Sequence, residues 1–348
     1  MAENLHTFSI NMAFLSRIKT FLRNNYIAYS LNRGGKSKHW EKTYSKIVSQ
    51  YSSIAQKVAN EKIVFVMVDG KSGPQNGLAD RLRGILSVYS ICREEGIPFR
   101  IYWTYPFPLS DYLKPNDYNW EIKDCIVSNS LGNSEIRIRY TLGSVLFENL
   151  IDKVYIRKAI KDQAKSQLHI YTNSIFAQQD FHLYFNELFK PSQDLEYAIK
   201  ENLCKIGTKY YSASFRFLDL LGDFKEEVPS RRSLNEEQRI ILVQDCIAKL
   251  QSFINRTPDE YNVLVASDSA TFLEEAKKLK KVYVVPGEIY HTCFSAEGHL
   301  PFLKTFLDFY LLKNAESVHL FKNKLMYESG FPKLAALCGN KPFILHKF

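Results

Sequence analysis

The sequence lacks the patterns that mark a metal site. Its six cysteines, Cys92, Cys125, Cys204, Cys246, Cys293 and Cys338, are scattered singly, with no C-x-x-C pair and no set of cysteines and histidines at the spacing of a zinc site. This spacing argues against structural zinc and predicts reduced thiols within a core. The chain also lacks a D-x-D motif, the pair of acids with which many enzymes hold a divalent ion on a phosphate.

Signals for membrane insertion and export are missing as well. No uninterrupted apolar run reaches about 18 residues. The first residues do not form a basic, apolar and small-residue succession that ends in a cleavage site. We therefore expect a cytoplasmic protein that does not span a membrane.

Positive charge is concentrated near the start of the chain. The net charge is +9, and residues 1–62 contain ten Lys or Arg against three acids, which leaves 10 − 3 = +7. The remainder is nearly neutral, so a nucleic-acid groove through the main body is not expected. We interpret residues 1–62 as a basic N-terminal extension that could associate peripherally with an anionic membrane at its inner face. In this extension, apolar residues from Phe14 to Leu22 recur at helical spacing, and the alternative is that they pack on the body of the protein.

Alternating strand and helix patterns fill most of the remaining chain. Its 348 residues are enough for two domains. IVFVMV, a loop, a helix that Asp80 could cap and that Gly96 ends, and the PFRIYW strand form one unit. After Pro191 the alternation resumes with YYSASF and continues to PFIL, whereas the topology of residues 111–190 stays open.

The pattern predicts an α/β fold of the GT-B-like kind, with two Rossmann-like domains facing an interdomain cleft. We expect an N-terminal, acceptor-side domain at residues 63–190. A C-terminal domain that binds a nucleotide sugar is expected at residues 191–348. Ligands of such domains bind at the carboxyl ends of the strands.

Two opposite charges follow the aromatic strand YYSASF. Arg216 could offer its planar fork to phosphate oxygens, and Asp219 could orient that fork or contact a sugar hydroxyl. The alternative is an ordinary structural ion pair.

The strand VLVAS ends at Ser267 and is followed by Asp268 and Ser269. Asp268 could accept hydrogen bonds from the ring N–H and amino groups of guanine. The same residues could instead cap the helix that follows, and the two roles are compatible.

Two further strand-to-helix junctions are candidates for contact with a ligand. Ser329 and Gly330 precede a helix with Pro332 in its first turn and could seat a phosphate, or they could be a plain helix start. Asn76 and Gly77 form a turn that opens the first helix and would allow a ligand to approach closely. All four junctions lie where an α/β fold builds a nucleotide site.

Taken in order, these motifs resemble those of the GDP-fucose-dependent fucosyltransferases of the α1,2, α1,6 and protein O-linked group, including the rhizobial nodulation enzyme. NGLADRLRGI resembles the family's first helix motif. Ser214, Arg216 and Asp219 correspond to its H-x-R-x-x-D motif, and residues 267–269 correspond to its T-D-D. ESGFPKLAAL resembles its terminal Ser-rich turn and helix. The resemblance covers residues 63–345, and its main departure is Ser214 in the place of the histidine.

The resemblance implies a role for each matched residue. Arg216 would bind the β-phosphate, Asp268 the guanine, and Ser329 with the backbone of Gly330 the phosphates. Asp219 would support the arginine or the sugar. Asn76, Gly77 and Ser214 complete the nucleotide-binding set.

These roles predict an inverting glycosyltransferase that needs neither metal nor cofactor, because Arg216 and helix-end N–H groups neutralise the leaving diphosphate. Its substrates would be GDP-fucose and a bacterial surface or secreted glycan. Asp69, Asp80 and His299 are candidates for the general base. The alternatives are another nucleotide-sugar donor, or an inactive glycan- or membrane-binding protein.

Overall fold

The structure is a computed structural model that describes residues 45–52, 61–68, 77–122, 127–140, 146–224, 234–288, 290 and 300–348. Residues 1–51 and 52–348 form two compact units. Of the first unit only residues 45–51 are described, and residues 45–48 are helical. The predicted amphipathic stretch from Phe14 to Leu22 lies outside the described residues.

The unit of residues 52–348 alternates strands and helices along most of its length. Its strands are β1 (Ile63–Val68), β2 (Phe99–Trp103), β3 (Leu113–Pro115), β4 (Ser134–Arg139), β5 (Gln167–Thr172), β6 (Phe189–Pro191), β7 (Tyr210–Phe215), β8 (Asn262–Ser267), β9 (Val282–Val284), β10 (Val318–Lys322) and β11 (Phe343–Lys347). Its helices are α1 (Leu78–Glu95), α2 (Leu146–Lys161), α3 (Phe181–Leu188), α4 (Gln193–Ile206), α5 (Glu236–Ile254), α6 (Ala270–Ala276), α7 (Leu303–Asn314) and α8 (Gly330–Gly339). Short 3-10 helices span Leu109–Asp111 and Gln178–Asp180.

The first sheet has the strand order β2-β1-β5-β4, and all its strands are parallel. The predicted unit of β1, α1 and β2 is confirmed. Gly96 ends α1 with φ of 65°, a conformation that glycine adopts without steric cost. The predicted cap by Asp80 is wrong, because α1 begins directly after Gly77 and Asp80 lies inside its first turn.

The second sheet has the order β11-β10-β7-β8-β9 and is also wholly parallel. From β7 the chain continues to β8 and β9 on one side, and it returns through α7 to β10 on the other. The carboxyl ends of β7 and β10 therefore form a topological switch point, the place where open parallel sheets bind ligands. The predicted α/β class is confirmed.

The segment that the sequence left open completes the first sheet. It supplies β4, α2 and β5, and it adds α3 and a small antiparallel pair of β3 with β6. Because β6 covers residues 189–191, the proposed boundary between residues 190 and 191 falls inside a strand.

One hydrophobic core continues from the first sheet to the second. The ring of Tyr112 stacks on Phe306 of α7 with ring centres 4.5 Å apart, and its hydroxyl accepts a hydrogen bond from the backbone N–H of Phe302. Phe107 packs against Phe302 with ring centres 4.6 Å apart. Aromatic pairs of this kind contribute more stability than the burial of their apolar surface alone. The division into domains of residues 63–190 and 191–348 stays a prediction.

The described cysteines are all free thiols. Cys92, Cys246 and Cys338 are buried, and burial raises the pKa of each of these thiols. The prediction of reduced core thiols holds for these three, whereas Cys204 is exposed on α4. Cys125 and Cys293 lie outside the described residues. No helix of the described chain is long and apolar enough to cross a membrane.

Candidate functional site

The candidate site lies at the switch point of the second sheet. Arg216 follows β7 directly, and its backbone carbonyl accepts a hydrogen bond from the N–H of Tyr327, in the segment that follows β10. Tyr327 is two residues before Ser329, so this bond places the segment leading to α8 beside Arg216. The fold thus brings two of the four predicted junctions together.

Asp268 holds the guanidinium of Arg216. Its Oδ2 atom lies 3.2 Å from Nε of Arg216, and the Asp268 side chain is only 1% exposed. The same carboxylate accepts hydrogen bonds from the backbone N–H groups of Phe217 at 2.8 Å and Leu218 at 2.7 Å. Burial raises the pKa of Asp268, and the charge of Arg216 and these backbone donors lower it by less.

The helix cap predicted after β8 is observed. Ser269 is the residue that caps α6, because its hydroxyl accepts a hydrogen bond from the N–H of Phe272. Both oxygens of Asp268 are occupied by the chain that follows β7. The guanine contact of Asp268 stays a prediction. Its side chain is only 1% exposed, so the surrounding chain would have to open before a base could reach the carboxylate.

The loop after β7 also supplies an aromatic ring to the arginine. The ring centre of Phe224 lies 4.9 Å from Cζ of Arg216, within the range of a cation–π contact. Leu218 adopts φ of 58°, a left-handed conformation that its hydrogen bond to Asp268 supports. Asp219 lies in the turn between Leu218 and Phe224 and is half-buried. Its backbone carbonyl accepts a hydrogen bond from the N–H of Gly222.

Ser214 is a buried hydroxyl at the end of β7. It is 6% exposed, and its Oγ atom has no hydrogen-bond partner among the described residues. In the sheet it lies between Ala266 and Leu320, neither of which has a polar side chain. A buried hydroxyl without a partner costs about 1–3 kcal/mol, so a polar ligand atom or a water at this position would be stabilising.

The start of α8 is open to solvent. Ser329 is its N-cap and accepts a hydrogen bond from the N–H of Phe331, which confirms a capped helix start. Gly330 is exposed, and a Cβ atom built on it would have no neighbour within 4 Å. An uncovered helix start of this length can attract an anion. The phosphate seat itself stays a prediction.

The fourth predicted junction belongs to the other sheet. Gly77 precedes α1 in an extended conformation, and Asn76 lies outside the described residues. Asp80 forms an ion pair with Arg83, with Oδ1 2.9 Å from an Arg83 nitrogen. Burial raises the pKa of Asp80 more than Arg83 and Arg81 lower it. The other two candidate bases, Asp69 and His299, lie outside the described residues.

One buried ion pair escaped the sequence-based prediction. Lys304 and Asp308 of α7 lie 2.7 Å apart, with side chains 8% and 14% exposed. Burial raises the pKa of Asp308 despite the charge of Lys304. Their spacing of four residues on a helix is a signal that the sequence already contained.

The described residues contain no cluster of three or more His, Cys, Asp or Glu side chains that could hold a metal ion. Arg216 is one positive charge that the described residues place at this site. The metal independence of the predicted reaction stays a prediction.

Comparison with known proteins identifies the fold. No family model matches the sequence, and no curated protein matches it. The solved structure of fucosyltransferase NodZ from Bradyrhizobium is similar, with 12% identity and a TM-score of 0.50, over 80% of this chain and 93% of that one. A mutant of Arabidopsis thaliana FUT1 in complex with GDP is similar with 12% identity and a TM-score of 0.51, over 96% of this chain and 79% of that one. The resemblance that the motif order predicts is thus confirmed at the level of architecture: the chain has a fold similar to that of these two fucosyltransferases.

Proposed function

We propose that this protein is an inverting, metal-independent glycosyltransferase that transfers fucose from GDP-fucose to a bacterial surface or secreted glycan. One observation carries the proposal. Arg216, held by Asp268, lies at the switch point of a parallel sheet beside the segment that leads to the open start of α8. Such a position suits a nucleoside diphosphate, and the shared fold with fucosyltransferases supports fucose as the sugar.

The chemistry explains why a fixed cation is needed. Transfer breaks the bond between the anomeric carbon and the phosphate oxygen, and negative charge develops on the leaving diphosphate. A guanidinium held in place by a buried carboxylate stabilises this charge without reorganising. The backbone N–H groups at the start of α8 add partial positive charge.

The acceptor hydroxyl must lose its proton to a base. Among the candidates, Asp80 is the one within the described residues, and its raised pKa would make it a stronger base than an ordinary carboxylate. To act as the base, the Asp80 carboxylate would have to leave its ion pair with Arg83 or contact the acceptor hydroxyl while keeping that pair. If Asp80 is the base, Asp80→Asn should abolish transfer and leave GDP binding unchanged.

Ser214 favours a second candidate function, a transferase with another donor. A small hydroxyl in a buried position leaves a smaller contact surface than the imidazole that the resemblance implies there. Competition among GDP-fucose, GDP-mannose and UDP-sugars for the site would separate the two functions.

The main test combines binding with transfer. We expect calorimetry to detect GDP and GDP-fucose, and we expect NMR of a transfer product to show inverted anomeric configuration. We also expect both binding and transfer to persist in excess EDTA. Failure of the full chain to bind any guanine or uracil nucleotide would overturn the proposal, and loss of transfer in EDTA would overturn its metal independence.

Location and membrane association belong to the same proposal. The +7 charge of residues 1–62 supports peripheral binding to an anionic inner membrane surface from the cytoplasm. Flotation of the full chain with anionic and with neutral vesicles tests this: we expect salt-sensitive binding to the anionic vesicles. Equal recovery with both vesicle types would contradict it.

A further inference from the structure

Two carboxylates connect the loop after β7 to the start of α6, and each of the two segments supplies one of them. Asp268, just before α6, accepts the backbone N–H groups of Phe217 and Leu218 at the beginning of the loop. Asp223, farther along the loop, accepts hydrogen bonds from the hydroxyl of Ser269 and the backbone N–H of Thr271, both at 2.8 Å. Each segment thus supplies a carboxylate to the other.

The tie through Asp223 serves the helix in an ordinary way. The first turn of α6 contains no acidic residue, and a carboxylate stabilises a helix start through its N–H groups and dipole. If this were the whole role of Asp223, its removal would lower stability and leave ligand binding unchanged.

The neighbour of Asp223 gives the tie a second consequence. Phe224 follows Asp223 directly and places its ring centre 4.9 Å from Cζ of Arg216. The guanidinium therefore has the Asp268 carboxylate at Nε and an aromatic ring at Cζ. The position of that ring depends on the anchoring of residue 223, because adjacent residues share one peptide unit.

Arg216 itself is partly accessible, with a side chain 21% exposed. An arginine side chain has considerable rotamer freedom, and fixing it before the ligand arrives lowers the entropic cost of binding. A guanidinium held at two points can present its planar fork to two phosphate oxygens in one orientation.

We propose that Asp223 is a positioning residue for the diphosphate: by tying the loop to α6 it keeps Phe224 against Arg216 and orients the guanidinium for the nucleotide. This inference rests on the proposed function, since it assumes that Arg216 binds the phosphates.

The test compares GDP with guanosine, which lacks the phosphates, by calorimetry on the full chain. In Asp223→Ala we expect the Kd for GDP to rise on the order of tenfold, or about 1.4 kcal/mol, and the Kd for guanosine to stay unchanged. Asp223→Asn keeps one acceptor oxygen and should show a smaller rise. Phe224→Leu removes the ring without touching α6 and should reproduce the loss for GDP, which keeps the inference testable if Asp223→Ala does not fold.

Two controls separate positioning from stability. Glu274→Ala removes an exposed acid of α6 that pairs with Lys277, and it should leave both Kd values unchanged. In an Arg216→Ala background, Asp223→Ala should have no further effect on GDP, because the group that it positions is gone.

The outcomes distinguish the inference from the proposed function. If the unmodified protein binds no GDP, both are overturned. If it binds GDP and Asp223→Ala binds equally well, or if GDP and guanosine weaken by the same factor, only the positioning role is overturned.

Discussion

Nε of Arg216 lies 3.2 Å from the carboxylate of Asp268, and 51 residues separate Asp268 from Phe217, whose N–H binds the same carboxylate. The strand β7 places the arginine at the edge of the second sheet, and the neighbouring strand β8 places the acid there. Parallel pairing alone accounts for their meeting, because the two strands end in register at Phe215 and Ser267. A pair built this way fixes a cation at the switch point of the second sheet.

Removal of this cation should weaken nucleotide binding strongly. We expect Arg216→Ala to reduce GDP affinity on the order of a hundredfold, because a charge-assisted, bidentate contact is lost. Arg216→Lys should recover part of it, since lysine keeps the charge without the fork. Arg256→Ala is the matched control, because Arg256 is an exposed arginine at the end of α5, before β8 begins. Calorimetry with GDP measures all three, and equal affinity in Arg216→Ala would contradict the assignment.

Neutralising the buried acid should affect both stability and binding. In Asp268→Asn the amide nitrogen would face a backbone N–H or the guanidinium, where an oxygen is needed. We expect unfolding free energy to fall by about 1–3 kcal/mol, and GDP affinity to fall because Arg216 loses its support. Urea unfolding and calorimetry measure the two effects separately. A variant with native GDP affinity would show that Arg216 is oriented without Asp268.

Two buried histidines should make the protein sensitive to mild acid. Burial lowers the pKa of His169 to about 3, and burial together with His346 lowers the pKa of His319 to about 4. The folded protein therefore binds fewer protons than the unfolded chain, whose histidines titrate near pH 6.5. Stability is complete above that pH and is lost as the pH falls toward these lowered values, by about 2 kcal/mol per histidine between about pH 7 and about pH 5.

Urea unfolding across this pH range measures the effect. His319 contacts Ser317 and His346 through its two ring nitrogens, and His169 contacts Gln167, so glutamine is the mildest replacement at either position. His169→Gln and His319→Gln should each reduce the slope of stability against pH. An unchanged slope in both variants would show that these rings are not the source of the acid sensitivity.

A glycine of α1 fixes how closely this helix approaches the first sheet. A Cβ atom on Gly84 would lie 2.4 Å from the backbone oxygen of Thr172. The clash is with backbone atoms, so a change of side-chain rotamer could not relieve it. We expect Gly84→Ala to destabilise the fold by about 1–3 kcal/mol through overpacking. Gly330→Ala has open space around the new methyl group and should not destabilise it. Thermal unfolding compares the two, and equal melting temperatures would contradict the close approach.

The sequence predicted the periodic parts of this structure and missed the contacts between them. The helix α1 and strands such as β8 were predicted within a few residues, because their apolar spacing is local. Residues 111–190 were not parsed, since short strands such as β3 and β6 are too brief for periodicity to show. At the site, Arg216 could be predicted from its place after a strand. The assignment of Asp268 to it could not, because that contact depends on which strands are neighbours. Asp223 offered no signal, since an aspartate near a glycine in a loop is typical of any turn.

The stacking of Tyr112 on Phe306, and the hydrogen bond from Phe302 to the Tyr112 hydroxyl, have a consequence for dissecting this protein. Cutting the chain near residue 190 would separate these rings from their packing partners and leave each fragment with an exposed apolar surface. Neither half should therefore be obtainable as a well-behaved separate piece, and the two sheets should melt in a single cooperative transition.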